Sequence, residues 1–373
     1  MLSAFLTTTS AKAGATAAAT AATAATADPA TAARVLTARG YAVRKDALTT
    51  EQTEQIRKDL TVAPKVLARF AKDSKPFPLF LESPSRFYLP RAWAQTTSWL
   101  GEPEATVLGP GLPLPSKIAF KGTPYPYQEE IIKTFMDQGG NGLICVPCGR
   151  GKTFMALNIG VRLGARFLIV VDKEFLMNQW KGEIERYIEG ARIGIVQSDR
   201  QEIDPAKYDI TICMIQTICL RDYAPNAFEG YGYTIFDECH HLGAQHFSGV
   251  LKKIQTKWML GLSATPDRDD GLTKVFEYYL GKPVYQEKIR EPDPTVVVRA
   301  IWYQSEEKSY KTVPVNYRGE VITARLLTQI VEHRPRTEMI LGHLHELVAD
   351  SRRKILVLSE RRAHLEEALR GSV

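Results

Sequence analysis

A parallel α/β sheet covered by helices on both faces is the fold class the sequence predicts between about residues 118 and 298. Three observations predict it. Short, almost uninterrupted apolar runs recur at residues 143–146, 167–171, 193–196, 210–214, 234–236 and 259–262. Longer amphipathic stretches separate them, long enough for crossover helices. Chemistry-bearing residues follow directly on the ends of three runs, at the C-terminal edge where parallel sheets place ligands. A strand apolar at every position is buried on both faces, which excludes a sheet with one wet side.

Composition agrees with a folded core. The 373 residues hold two domains of ordinary size plus a tail, with 44% hydrophobic and 24% charged residues. Forty-eight basic against 42 acidic residues give a formal charge of +6, a lean towards polyanionic partners that solubility alone also explains. No apolar run is long enough to span a bilayer, so no membrane partner is expected. The five cysteines, Cys145, Cys148, Cys213, Cys219 and Cys239, are odd in number and scattered through apolar segments. That pattern fits buried thiols in a reducing, intracellular compartment better than a disulfide framework. Cys145 and Cys148 have C-x-x-C spacing, but a second pair for zinc is missing.

Five regions are expected along the chain. Residues 1–33 form an Ala/Thr tract with Lys12 and Asp28 as its only charges, a disordered tail. Its poverty in acids resembles an organelle transit peptide, although arginine is absent before Arg34. Residues 34–116 are an accessory domain, helical in pattern at 32–39 and 51–60 and rich in Pro and aromatics at 77–99. Its densest piece, Phe87-Tyr88-Leu89-Pro90-Arg91-Ala92-Trp93, suits base stacking or plain packing. The Gly/Pro segment 109–115 reads as a linker. The α/β domain spans 117–298 and a connector 299–351. Residues 352–373 begin a further unit, with a strand at 354–359 and a helix at 361–369.

The run 143–146 is followed by Pro147-Cys148-Gly149-Arg150-Gly151-Lys152-Thr153. Gly149 and Gly151 let the backbone wrap close to phosphate with its N–H groups inward, and the helix starting near Lys152 adds favourable potential. Lys152 is placed for the β- and γ-phosphates of ATP and the Thr153 hydroxyl for Mg²⁺. Val146 stands where the full Walker A pattern has its first glycine; a glycine-rich turn with an incidental lysine is the plain alternative. After the run 234–236 come Asp237-Glu238-Cys239-His240-His241. Asp237 suits Mg²⁺ held through water, and Glu238 suits orienting or deprotonating the attacking water. His240 is suited to signal between these acids and the hydroxyls of Ser263 and Thr265 in Ser263-Ala264-Thr265-Pro266, a hinge that couples ATP to movement. The Cys-His-His cluster is an alternative zinc motif, though adjacent residues rarely face one metal.

These segments resemble motifs I, II and III of superfamily 2 helicases, with a DEAH-like box: GRGKT at 149–153, DECH at 237–240 and SATP at 263–266. Asp267-Arg268-Asp269-Asp270-Gly271 resembles the DNA-directed branch that includes XPB, UvsW and type III restriction translocases. Segments 40–64 and 80–93 resemble the amino-terminal region of helicases of large DNA viruses related to the poxvirus transcription helicase. The resemblance covers residues 117–300 and, more diffusely, 35–116. It implies a RecA-like P-loop lobe. It also implies an adenine-sensing segment, Tyr125-Pro126-Tyr127-Gln128, in which Gln128 reads the base edge and Tyr125, where arginine is frequent, stacks on the base. Residues 167–180 resemble motif Ia, with Lys173, Gln179 and Trp180 near a nucleic-acid backbone and Asp172 in place of a frequent proline. Met214-Ile215-Gln216-Thr217 resembles motif Ib, with Gln216 and Thr217 as contacts. Outside that frame, Trp180 reads as a core residue and Gln216-Thr217 as a strand end. The family sandwiches ATP between two lobes, the second supplying arginine fingers. Residues 352–373 resemble only the opening of that lobe, which implies a fragment, a truncated product, or half of a split enzyme completed by a second chain. The function implied is an ATP- and Mg²⁺-dependent helicase or translocase acting on double- or single-stranded DNA, RNA not being excluded. The alternatives are an ATP- and nucleic-acid-binding fragment without turnover, and an ATPase unrelated to nucleic acids.

Overall fold

The computed structural model describes residues 27–63, 76–224, 226–243, 248–265, 270–287 and 297–370. The chain divides into two compact units, residues 1–289 and 290–373.

The first unit carries two main sheets. The smaller is built from β1 (Arg34–Thr37), β2 (Gly40–Arg44), β3 (Leu81–Glu82), β4 (Arg86–Leu89) and β5 (Ala105–Thr106), in the order β3-β4-β2-β1-β5. The larger contains β6 (Asn141–Cys145), β7 (Phe167–Val171), β8 (Ile193–Gln197), β9 (Arg200–Gln201), β10 (Ile210–Met214), β11 (Tyr233–Phe236), β12 (Trp258–Ser263) and β13 (Pro283–Gln286). Its order is β9-β8-β10-β7-β11-β12-β6-β13. Every neighbouring pair is parallel except the edge hairpin β8–β9.

Why these runs become strands is visible in where alternate side chains go. In β7, Phe167, Ile169 and Val171 join one apolar cluster while Leu168 and Val170 join the other. β6 splits the same way, Ile144 to one side and Leu143 with Cys145 to the other. One face is covered by α3 (Pro126–Asp137), α4 (Lys152–Leu163) and α5 (Glu174–Tyr187), through Ile131, Phe135, Met155, Ile159, Trp180 and Ile184. The opposite face is covered by α6 (Ile215–Leu220), α7 (Ser248–Lys253) and α8 (Thr273–Leu280), together with the small sheet's Tyr41 and Phe87 and with Trp93 of α2 (Arg91–Thr96). Each fully buried Leu, Ile or Phe contributes roughly 1.5–3 kcal/mol, so a strand committed on both faces is strongly fixed.

Three expectations about this unit are corrected, and one left open is resolved. Residues 32–39 are not helical: β1 and β2 form a tight hairpin with Thr37 opposite Gly40, because pairing of Val35 with Ala42 buries both. The tail ends earlier than residue 33, since Ala32 is buried and the Ala33 N–H donates to Glu104 Oε2 at 2.9 Å; the part of the tail at 1–26 lies outside the described residues. Segment 109–115 is no free linker. Leu112 donates to Gly230 O at 2.8 Å, Leu114 to Gly164 O at 2.8 Å, and Leu112 O accepts from Arg166 at 2.9 Å. Gly232 must be glycine there, since a Cβ would lie 1.8 Å from Pro110 O. The aromatic piece 87–93 resolves towards packing: Phe87, Leu89 and Trp93 are buried. Arg91 is buried too, donating to Thr256 O at 2.7 Å, Lys257 O at 3.1 Å and the Asn141 side-chain oxygen, with burial pushing its pKa down to about 10. The expected helix at 51–60 forms as α1 (Thr50–Asp59), capped reciprocally by Thr49 and Gln52.

The second unit contains α9 (Lys308–Lys311), α10 (Thr323–Glu332), α11 (Arg334–Val348) and α12 (Arg362–Arg370). Tyr303, Tyr310 and His333 cluster there, with the Tyr303 hydroxyl 2.8 Å from His333 Nε2. The strand expected at 354–359 does not form; that segment has no ladder partner among the described residues, and Leu356 and Leu358 are each 82% exposed. A strand needs a neighbour for its N–H and C=O groups, and an apolar sequence does not supply one. No described helix is long and apolar enough to cross a membrane.

Candidate nucleotide and nucleic-acid site

The site lies along the C-terminal ends of the parallel strands. β6 runs into the glycine-rich loop, and α4 starts at Lys152 with Gly151 as its N-terminal cap. Gly151 has φ +79°, a conformation that favours glycine, and a Cβ there would sit 2.4 Å from Gln128 Nε2 and displace that amide. Pro147, Cys148 and Gly149 form the exposed tip. Thr153 is the second residue of α4, where N–H groups point towards an anion. The Lys152 ammonium donates to Val146 O at 3.2 Å, keeping its charge over the loop.

Arg150 faces the other way. Its guanidinium pairs with both Glu287 oxygens at 2.8 and 2.6 Å and lies 4.6 Å from the centre of the Tyr127 ring. Glu287 raises its pKa above the ordinary arginine value. The Arg150 carbonyl accepts from Gln128 Nε2 and from the Tyr127 hydroxyl, each at 3.2 Å. Gln128 also accepts from the Tyr125 N–H at 3.0 Å and is buried. Here its amide braces the phosphate loop. Tyr125 is 66% exposed and stacks almost parallel on Tyr127 at 6.0 Å.

Asp237 follows β11, its N–H donating to Val170 O at 3.0 Å. Its Oδ2 accepts from the Trp180 indole Nε1 at 2.7 Å and its Oδ1 from the Glu238 N–H at 3.0 Å. Burial raises the Asp237 pKa, while the Trp180 hydrogen bond and the Lys152 charge pull it back. Glu238 holds φ +45°, a left-handed backbone that costs a side-chain-bearing residue about 1–3 kcal/mol and is kept only where surroundings impose it. Glu238 Oε2 lies 3.3 Å from His240 Nδ1, and that nitrogen lies 3.1 Å from Ser263 Oγ. Ser263 is buried, and its Oγ accepts from the Thr265 N–H at 3.1 Å. Pro266 and residues 267–269 lie outside the described residues. His241 packs 4.3 Å from His240, with Nε2 3.6 Å from Asp172 Oδ2.

This donor set fits Mg²⁺ with a polyphosphate. The half-buried Asp237 carboxylate and the Thr153 hydroxyl are hard oxygen donors, and a carboxylate raised by burial beside Glu238 gains from a cation.

The residues expected to face a nucleic acid divide. Lys173 and Gln179, on α5 and its cap, are exposed, as is Phe175 at 63%. Gln216 donates to Asp172 O at 2.7 Å, and the Thr217 hydroxyl, nearly buried, accepts from the Ser198 N–H at 3.0 Å. Trp180 is 1% exposed. Three features had no signal in the sequence: the Trp180–Asp237 bond across 57 residues, the Arg150–Glu287 pair across 137, and the Glu238 backbone.

The family described as type III restriction enzyme, res subunit, matches residues 121–268. Residues 121–268 are thus similar to superfamily 2 helicase domains. A protein of Acanthamoeba polyphaga mimivirus named as an ATP-dependent RNA helicase is 30% identical over 337 residues, covering 87% of this chain and 63% of its own. One of African swine fever virus (Kenya isolate), named likewise, is 27% identical over 235 residues, covering 60% and 44%. The DNA 3'-5' translocase XPB2 of Sulfurisphaera tokodaii is 32% identical over 165 residues, covering 44% and 36%. The chain thus spans less than two thirds of each of these relatives. Among solved structures, the UvsW helicase of bacteriophage T4 aligns over 63% of this chain and 93% of its own, at 14% identity and a TM-score of 0.42. Within these residues, the segments similar to motifs I, II and III are the phosphate loop, the Asp237–His240 turn and the end of β12.

Proposed function

We propose that this helicase-like domain hydrolyses ATP with Mg²⁺ and couples the reaction to movement along a nucleic acid, DNA in preference to RNA. One observation carries the reading: a continuous set of contacts runs from Asp237 through Glu238, His240 and Ser263 to Thr265, beside the phosphate loop. Such a chain links a hydrolytic acid to a mobile hydroxyl segment. Support for DNA comes from the relative named as a DNA translocase and from the sequence around residues 267–271; the viral relatives named as RNA helicases make RNA the comparison to test.

On binding ATP, Lys152 exchanges the Val146 carbonyl for phosphate oxygens. Thr153 and Asp237 hold Mg²⁺, whose charge, when bound, offsets that on the phosphates. Glu238, half-exposed at the strand end, takes a proton from water as the new bond to the γ-phosphorus forms and the bond to the bridging oxygen breaks. His240 sits where a change at Glu238 alters its contact with Ser263, and so reaches Thr265.

The test is ATP turnover by the purified chain without nucleic acid and with single-stranded DNA, duplex DNA or RNA. Turnover raised most by DNA is expected. ATP hydrolysis indifferent to every nucleic acid would overturn the coupling, and tight ATP binding without hydrolysis would reduce the domain to a binding module. The buried thiols Cys145, Cys213 and Cys239 support the further proposal of a reducing, intracellular setting.

A further inference from the structure

A buried tryptophan needs some acceptor for its N–H, and a neighbouring main-chain carbonyl would meet that need. Trp180 instead gives its single N–H to the carboxylate the site needs for its metal, at 2.7 Å. With Glu238's N–H on the other oxygen, Asp237 is gripped from two elements, α5 and its own chain. Trp180 shares the inner face of α5 with Met177 and Ile184, all three buried. Lys173, Phe175 and Gln179 stand exposed on the same helix and its cap. A helix packed by a row of large side chains shifts as a body, so force applied at Lys173 and Gln179 reaches the indole N–H. A parallel tie runs through Asp172, whose carbonyl accepts from Gln216 at 2.7 Å and whose carboxylate lies 3.6 Å from His241.

We propose that Trp180 is a positioning residue that holds Asp237 for metal binding and transmits nucleic-acid contact at the outer face of α5 to that carboxylate. The proposal rests on the reading of α5 as a nucleic-acid face. The conservative variant W180F keeps a ring and removes the N–H. A partner of this kind typically changes metal affinity or activity about 10–100-fold, so W180F should lower nucleic-acid-stimulated kcat about 10-fold while KM for ATP moves less than about 2-fold.

A second readout does not depend on activity. The five tryptophans give five indole N–H resonances in a spectrum of the full chain, and the one missing from W180F is Trp180. In D237N that resonance should shift, and in the unaltered chain it should shift again on adding a short DNA duplex or single strand. Should W180F not fold, a single indole resonance displaced in D237N serves the same purpose. A Trp180 resonance indifferent to D237N overturns the hold on Asp237. A resonance unmoved by DNA that fluorescence anisotropy shows to be bound overturns the transmission alone. Failure to bind DNA or RNA at all overturns the functional reading and the transmission with it, while the D237N result still judges the hold.

Discussion

Two faces of one strand edge are built on opposite plans. Around the phosphate loop and Asp237, most polar groups that matter already have partners inside the chain: Lys152 on Val146 O, Gln128 on Arg150 O, Asp237 on Trp180 and Glu238. A few residues away, Lys173 and Gln179 stand out in solvent. The difference suits the tasks proposed for the two faces. Bond-making to phosphorus needs groups fixed to fractions of an ångström, which strand ends and buried hydrogen bonds supply. Holding a phosphodiester backbone needs charge at the surface, spread over many weak contacts and free to adjust.

The contrast is open to breakage in order of expected effect. Glu238→Gln should lose about 10²–10⁴-fold in turnover with ATP affinity retained, the size a general base supplies; near-normal kcat would remove Glu238 from its role. Lys152→Ala comes next. Charge-assisted hydrogen bonds lost there should weaken nucleotide binding by about 10–100-fold in a fluorescent-nucleotide titration, and undiminished affinity would sink the loop assignment. Arg150→Ala releases Glu287 and unstacks Tyr127, and about a 5-fold loss of nucleotide affinity is expected through a loosened loop rather than lost ligand contact. A loss equal to that of Lys152→Ala would make Arg150 a phosphate ligand. Lys173→Ala should do least: a few-fold weaker nucleic-acid binding at low salt and a salt slope smaller by about 1, for every sequence tested. A change in nucleotide affinity as large as that of Lys152→Ala would erase the distinction between the two faces.

How much of this was readable in the residues depends on how local the cause is. Phe167–Val171 announced a doubly buried strand because each of its side chains is apolar, whichever face it takes. Gly151, Lys152 and Thr153 announced a glycine turn opening into a helix because the turn and the helix start are adjacent in sequence. Segment 354–359 carries the same apolar signal as β7 and is no strand, because pairing belongs to a neighbour and not to the run itself. Residues 32–39 misled in the other direction: their pattern looked helical, and the Val35–Ala42 pairing overrode it. Trp180 was legible as core and as a neighbour of nucleic acid, yet not as the partner of an acid 57 residues on. That bond is set by how α5 lies over β10 and β7.

Arg91 bears on what counts as a portable piece of this protein. The family match begins at residue 121, yet the face of the large sheet bearing Leu168, Val170 and Phe236 shares one apolar cluster with Tyr41, Phe87 and Trp93. Arg91 closes that seam by donating to carbonyls at residues 256 and 257 and to Asn141 at the head of β6. A chain trimmed at the homology boundary would uncover those side chains and strand those oxygens. The segment that matches the family and the smallest piece with an intact core therefore have different first residues.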